Sequence, residues 1–106
     1  MRVAITGASG NVGTSLLHAL ASRPDVDSIL GLARRPPAMA FPKTTWTHAD
    51  VASSDLVPLF RSCDAVVHLA WRIQPSRNLA VPERVNVTGS RRVFEAVEEA
   101  EVPALI

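Results

Sequence analysis

Apolar residues gather in five short runs, separated by stretches that carry a helical period or turn-forming residues. The first run, residues 3–5, is wholly apolar rather than alternating, as expected of a strand buried on both faces. Residues 11–22 predict a helix: Val12, Leu16, Leu17 and Leu20 recur at the helical period, and Pro24 with Asp25 ends it. A second strand is expected over residues 28–32. Arg35-Pro36-Pro37 cannot extend it, because proline lacks the N–H a ladder needs. Residues 44–47 are β-branched and aromatic and predict a short third strand. Ser53 or Ser54 is then expected to cap a helix with Pro58 in its first turn, where the missing N–H has no partner to lose. Residues 65–69 form another continuous apolar run, a second central strand leading into Ala70 and Trp71. Residues 82–101 predict the longest helix, with Val85, Val93, Ala96, Val97 and Ala100 on one face, and residues 102–106 begin a fifth strand. Strands alternating with helices define the α/β class with a mostly parallel sheet.

Composition narrows the partners. A chain of 106 residues, 47% hydrophobic and 20% charged, supports one folded unit with a modest core. Eleven basic against ten acidic residues leave a net charge of +1, too small to attract nucleic acid. The sequence shows neither a leader pattern nor an apolar stretch of membrane-spanning length, so the expectation is a cytoplasmic protein. The single Cys63 fits a reducing compartment and reads as a packing residue. His18, His48 and His68 share no metal-ligand spacing, and no metal site is expected.

The chemistry-bearing segment is Gly7-Ala8-Ser9-Gly10-Asn11-Val12-Gly13, between the first strand and the first helix. A glycine there allows the tight turn, a second admits a phosphate close to the backbone, and a third lets helix pack on sheet. The helix N-terminus adds unpaired N–H groups and partial positive charge for an anion. Together these predict a dinucleotide-binding βαβ unit, a doubly wound, Rossmann-like sheet. About twenty residues further on, the chain reads Gly31-Leu32-Ala33-Arg34-Arg35. No carboxylate stands there for the ribose hydroxyls of NAD, whereas two guanidiniums suit a 2′-phosphate, so NADP is expected and NAD is the alternative. Two arginines that merely face water would look the same in sequence.

The spacing Gly-x-x-Gly-x-x-Gly after Thr6 resembles the start of the extended short-chain dehydrogenase/reductases, the NAD-dependent epimerase/dehydratase group. Asp50-Val51 resembles that group's acidic-apolar pair at the adenine ring, His68-Leu69-Ala70 its strand-four motif, and Asn86-Val87-Thr88-Gly89 its helix signature. The resemblance spans the chain and implies cofactor contacts from Leu69, Ala70 and Trp71 as well, and from Asn86, which it implies hydrogen-bonds backbone near the active site; a solvent-facing polar position is the alternative for Asn86. Trp71 departs from the pattern, which has a small residue there. Asp50 also suits a turn for purely local reasons. His68 within an apolar strand reads as a hydrogen-bonded core residue rather than a catalyst.

The resemblance further implies a Ser or Thr and a Tyr-x-x-x-Lys pair for catalysis, yet the chain contains no tyrosine, and its one lysine, Lys43, precedes the third strand. No catalytic residue is therefore assigned. The expectation is the N-terminal portion, residues 1–106, of a dinucleotide-binding domain truncated after the start of strand five. It would belong to an epimerase, dehydratase or reductase whose carbonyl or nucleotide-sugar substrate, and any homodimer, require the remaining half. Two alternatives stand beside it: a module that senses NADP(H) without turning it over, and a remnant unable to fold alone.

Overall fold

The chain runs β1 (Arg2–Thr6), α1 (Asn11–Ala21), β2 (Ser28–Ala33), β3 (Thr44–His48), α2 (Val57–Phe60), β4 (Ala65–His68), α3 (Ala80–Glu99) and β5 (Ala104–Leu105). These elements come from a computed structural model that describes residues 1–70 and 80–106, with residues 80–85 described in backbone alone. All neighbouring strands pair in parallel, in the order β3-β2-β1-β4-β5. The fold is therefore the doubly wound, Rossmann-like α/β sheet. The chain winds outward from β1 to β3 and then crosses to β4, so the strand order reverses between β1 and β4. In open sheets of this kind, ligands bind beyond the carboxyl ends of the strands at that reversal.

The apolar run of β1 divides between two cores. Val3 and Ile5 pack with Ile29, Val26, Phe41 and Leu17 of α1, while Ala4 packs with Leu30, Leu32, Val66, Phe60 of α2, and Val93, Ala96 and Val97 of α3. Period-two alternation in a strand covered on both faces produces this division, and it explains why the apolar run is continuous. Phe60, wholly buried, anchors a helix of only four residues.

Several boundaries differ from the sequence expectation. The predicted apolar stripe of α1 is narrower, because Val12 is 68% exposed and the buried side is formed by Gly13 and Leu17, with Leu16 and Leu20 partly covered. Ser22 caps the C-terminus of α1. Neither Ser53 nor Ser54 caps α2: its N-cap is Leu56, with no side-chain bond, while Pro58 does lie in the first turn. Ser54 is engaged in the preceding turn instead, where its Oγ accepts the Asp50 N–H at 2.8 Å. The longest helix begins two residues earlier than expected and ends at Glu99, beyond which Glu101 takes a positive φ of 58°. On its predicted apolar face Val93, Ala96 and Val97 are buried, and the side chain of Val85 lies outside the described residues. β5 contains two exposed residues rather than five. No helix among the described residues is long and apolar enough to cross a membrane.

Candidate functional site

Four segments meet at the carboxyl edge of the sheet: residues 7–13 after β1, Arg34 and Arg35 after β2, residues 49–54 after β3, and Leu69 with Ala70 after β4. Backbone bonds tie them together. The Ala8 N–H donates to Leu32 O at 3.2 Å, the Ala49 N–H to Ala33 O at 3.0 Å, and the Leu69 N–H to Thr6 O at 3.1 Å.

The three glycines of the first turn are required for different reasons. Gly7 has φ 68°, and a Cβ there would lie 2.7 Å from Ala70 N. A Cβ on Gly13 would lie 2.6 Å from the carbonyl oxygens of both Gly7 and Ala8. Both positions exclude a side chain through contacts within the protein. Gly10 is different: it caps α1 with an ordinary φ of −75°, and a Cβ would meet nothing nearer than Gly7 O at 3.4 Å. Its side-chain space is open, on the side where the helix N-terminus faces out. The N–H groups of Asn11, Val12 and Gly13 meet no acceptor among the described residues, and no acidic side chain lies in the first turn. Ser9, Asn11 and Val12 are exposed around that spot, while Ala8 is buried.

Thr6, fully buried, organises the neighbouring strand. Its Oγ1 accepts the N–H groups of Leu69 at 3.1 Å and Ala70 at 3.2 Å. Both lone pairs are then used, so the hydroxyl proton must go to His68 Nδ1, 2.7 Å away. Nδ1 is thereby an acceptor, the imidazole proton sits on Nε2, and that group donates to Ser90 Oγ of α3 at 3.0 Å. The ring is neutral, in agreement with burial, which pushes its pKa below the usual histidine value. His68 is thus a hydrogen-bonded structural residue linking β1, β4 and α3, in line with the sequence expectation.

Asp50 occupies a turn. Its Oδ1 accepts the Ala52 N–H at 2.9 Å, and its carbonyl accepts the N–H groups of Ser53 and Ser54. Val51 packs beneath Gly89 of α3, where a Cβ would come within 2.7 Å of Val51 Cγ2. Two motifs that are far apart in sequence therefore touch. Arg92, one turn along α3 from Gly89, donates to Val51 O at 2.9 Å and to Ser54 O at 2.7 Å. Sequence reasoning missed Thr6, Ser90 and Arg92 as partners. Nothing in the spacing of an arginine on a helix reveals which loop its guanidinium will reach.

Arg34 and Arg35 are exposed and form no hydrogen bond or ion pair among the described residues. Asn86 is buried at 7% exposure, one turn from Ser90 towards the carboxyl edge, so it is not the solvent-facing position that was its alternative. Trp71 lies outside the described residues. Lys43 sits at the opposite edge of the sheet, its Nζ donating to the carbonyls of Arg23 and Val26 at 2.9 and 2.8 Å.

The glycine turn, the Thr6-anchored strand end and the Gly89–Val51 contact are the assembled motifs of one family. A model of the NAD dependent epimerase/dehydratase family matches residues 3–106. The chain belongs to that family. Among curated proteins it is 35% identical over 106 residues to L-arabinose 1-dehydrogenase (NAD(P)(+)) from Haloferax volcanii, covering 99% of this chain and 39% of that protein. Among solved structures it is similar to uronate dehydrogenase from Agrobacterium tumefaciens complexed with NAD. The TM-score there is 0.80 at 25% identity, covering 98% of this chain and 38% of that one. The holo form of an L-threonine dehydrogenase from Cupriavidus necator, at 18% identity and TM-score 0.85 over 99% of this chain and 35% of that one, shares the fold. The chain spans about two-fifths of the length of these relatives.

Proposed function

We propose that the chain is the part of an epimerase/dehydratase- or reductase-type oxidoreductase that holds the adenosine-diphosphate half of NADP(H). The observation that carries this reading is Gly10. It is the one glycine of the turn whose missing side chain relieves no contact among the described residues, and it stands at a helix N-terminus whose first N–H groups meet no acceptor among them. A pyrophosphate fits that requirement, since it needs close backbone approach and donors that face outward. Relatives described with NAD or NAD(P)(+) support the same ligand class.

On this reading residues 7–13 cradle the pyrophosphate, Asp50 and Val51 border the adenine, and Leu69 and Ala70 border the cofactor further along the crevice, with Asn86 behind them. Arg34, with Arg35 second, meets the 2′-phosphate. Two guanidiniums at the end of β2, unpaired among the described residues and with no carboxylate beside them in the sequence, favour NADP over NAD. When bound, the cofactor supplies a hydride acceptor or donor; the chain's own residues bind and orient it. The proton-transfer pair implied for the whole enzyme has no counterpart in these 106 residues, because tyrosine is absent and Lys43 is engaged at the far edge. By themselves they bind the cofactor without turning it over.

Calorimetric titration with NADPH and with NADH, repeated on Arg34→Ala, tests the proposal. NADPH binding that weakens in the variant is the expected result. NADH binding at least as tightly as NADPH overturns the NADP assignment, and binding of neither overturns the cofactor reading for this chain.

A further inference from the structure

We propose that Arg92 is a positioning residue for the adenine side of the cleft, acting from α3 through the backbone of residues 50–54. The inference rests on the reading that Asp50 and Val51 border the adenine. Arg92 shares a hollow with Asp55, Glu95 and Glu99 yet forms no ion pair with any of them within 4.0 Å. Both of its hydrogen bonds go instead to carbonyls of the one turn, Val51 O and Ser54 O. A guanidinium among carboxylates ordinarily pairs with them in bidentate fashion, so its use on two carbonyls three residues apart reflects the geometry of that turn.

The local bonds of the turn show what the fork accomplishes. Asp50 Oδ1 and Ser54 Oγ satisfy donors within residues 50–54, and they fix its local shape without tying it to any other element. Its placement against the sheet comes from the Ala49–Ala33 bond at one end and from Val51 lying under Gly89. Arg92 joins Val51 and Ser54 to the same helix that carries Gly89, so α3 grips the turn at two points one helical turn apart. A planar, rigid fork can define the separation of two carbonyls; an ammonium, as a single point charge, cannot.

The test uses the 106-residue chain, with NADPH and inorganic pyrophosphate as probes, in Arg92→Gln and Arg92→Lys variants. Arg92→Gln is expected to weaken NADPH about tenfold while the pyrophosphate affinity stays within about twofold, and Arg92→Lys to fall between it and the parent. Equal proportional loss of both ligands indicates general loosening and overturns the proposal. So does an unchanged NADPH affinity in either variant. Should Arg92→Gln fail to fold, as judged by circular dichroism, Arg92→Lys decides by the same ratio. If the parent chain binds pyrophosphate as tightly as NADPH, the adenine reading itself fails and takes the proposal with it. Tight NADPH binding that is indifferent to Arg92 removes the proposal alone.

Discussion

The turn after β1 and the turn after β3 border the same edge of the sheet, but they are held in place by different forces. The first is a steric construction. Gly7 and Gly13 let backbone pack against backbone at distances no side chain permits, and few side-chain bonds are involved. The second is a polar construction in which Asp50, Ser54 and Arg92 satisfy backbone groups one by one, and Val51 rests under a helical glycine. Steric turns fail abruptly when an atom is added, because the neighbouring atoms are backbone and cannot move away. Polar turns weaken by increments, since each bond contributes about 1 kcal/mol net.

Gly7→Ala sharpens the contrast most. Positive φ and a Cβ 2.7 Å from Ala70 N together are expected to cost about 4 kcal/mol, read as a large fall in the thermal midpoint. Thr6→Val comes next, at about 2 kcal/mol, because it strands the Ala70 N–H and leaves His68 Nδ1 without its donor, while the Leu69 N–H keeps its bond to Thr6 O; Thr6→Ser should recover most of the loss. Ser54→Ala should cost about 1 kcal/mol by denaturant titration, and a loss as large as that of Gly7→Ala would break the distinction between the two turns. Gly10→Ala is the smallest in stability, under about 1 kcal/mol, since a poorer cap is offset by lower unfolded-chain entropy. It should nevertheless weaken NADPH binding by more than about tenfold, because a Cβ would intrude where the phosphate meets the backbone. Retained affinity would mean that Gly10 has no ligand-facing role.

The hydrogen-bond chain from Thr6 through His68 to Ser90 adds a pH test. Burial lowers the pKa of His68 in the folded state, so below the unfolded value of about 6.5 the unfolded chain binds the proton first. The stability due to neutral His68 is full above that value and is lost as pH falls towards the folded pKa. Chemical denaturation from neutral to mildly acidic pH should show this decline, and His68→Gln should flatten it. An unaltered slope would show that the imidazole is not held neutral.

The steric turn is legible in the chain because glycines at fixed spacing between an apolar strand and an amphipathic helix mark a place where backbone must come close to backbone or to a ligand. The same holds for β1 and β4, whose continuous apolar runs require burial on both faces. Asp50 is legible as a residue but ambiguous in role, and its observed bonds are those of a turn. The expected Ser53 or Ser54 cap does not form, because a serine serves a turn as readily as a helix, and tertiary packing of Phe60 decides where α2 begins.

By itself, then, the sequence determined what depends on neighbours along the chain: strand burial, the glycine turn, the family motifs and the absence of tyrosine. The tertiary structure alone decided what depends on groups brought together from distant positions. It paired Thr6 with His68 across 62 residues and Arg92 with Val51 across 41. It also left Val12 exposed at the mouth of the turn despite its place in the helical pattern. Periodicity reports which side of an element is apolar, but a hydrogen bond between elements requires both partners' positions, and those exist only once the sheet has assembled.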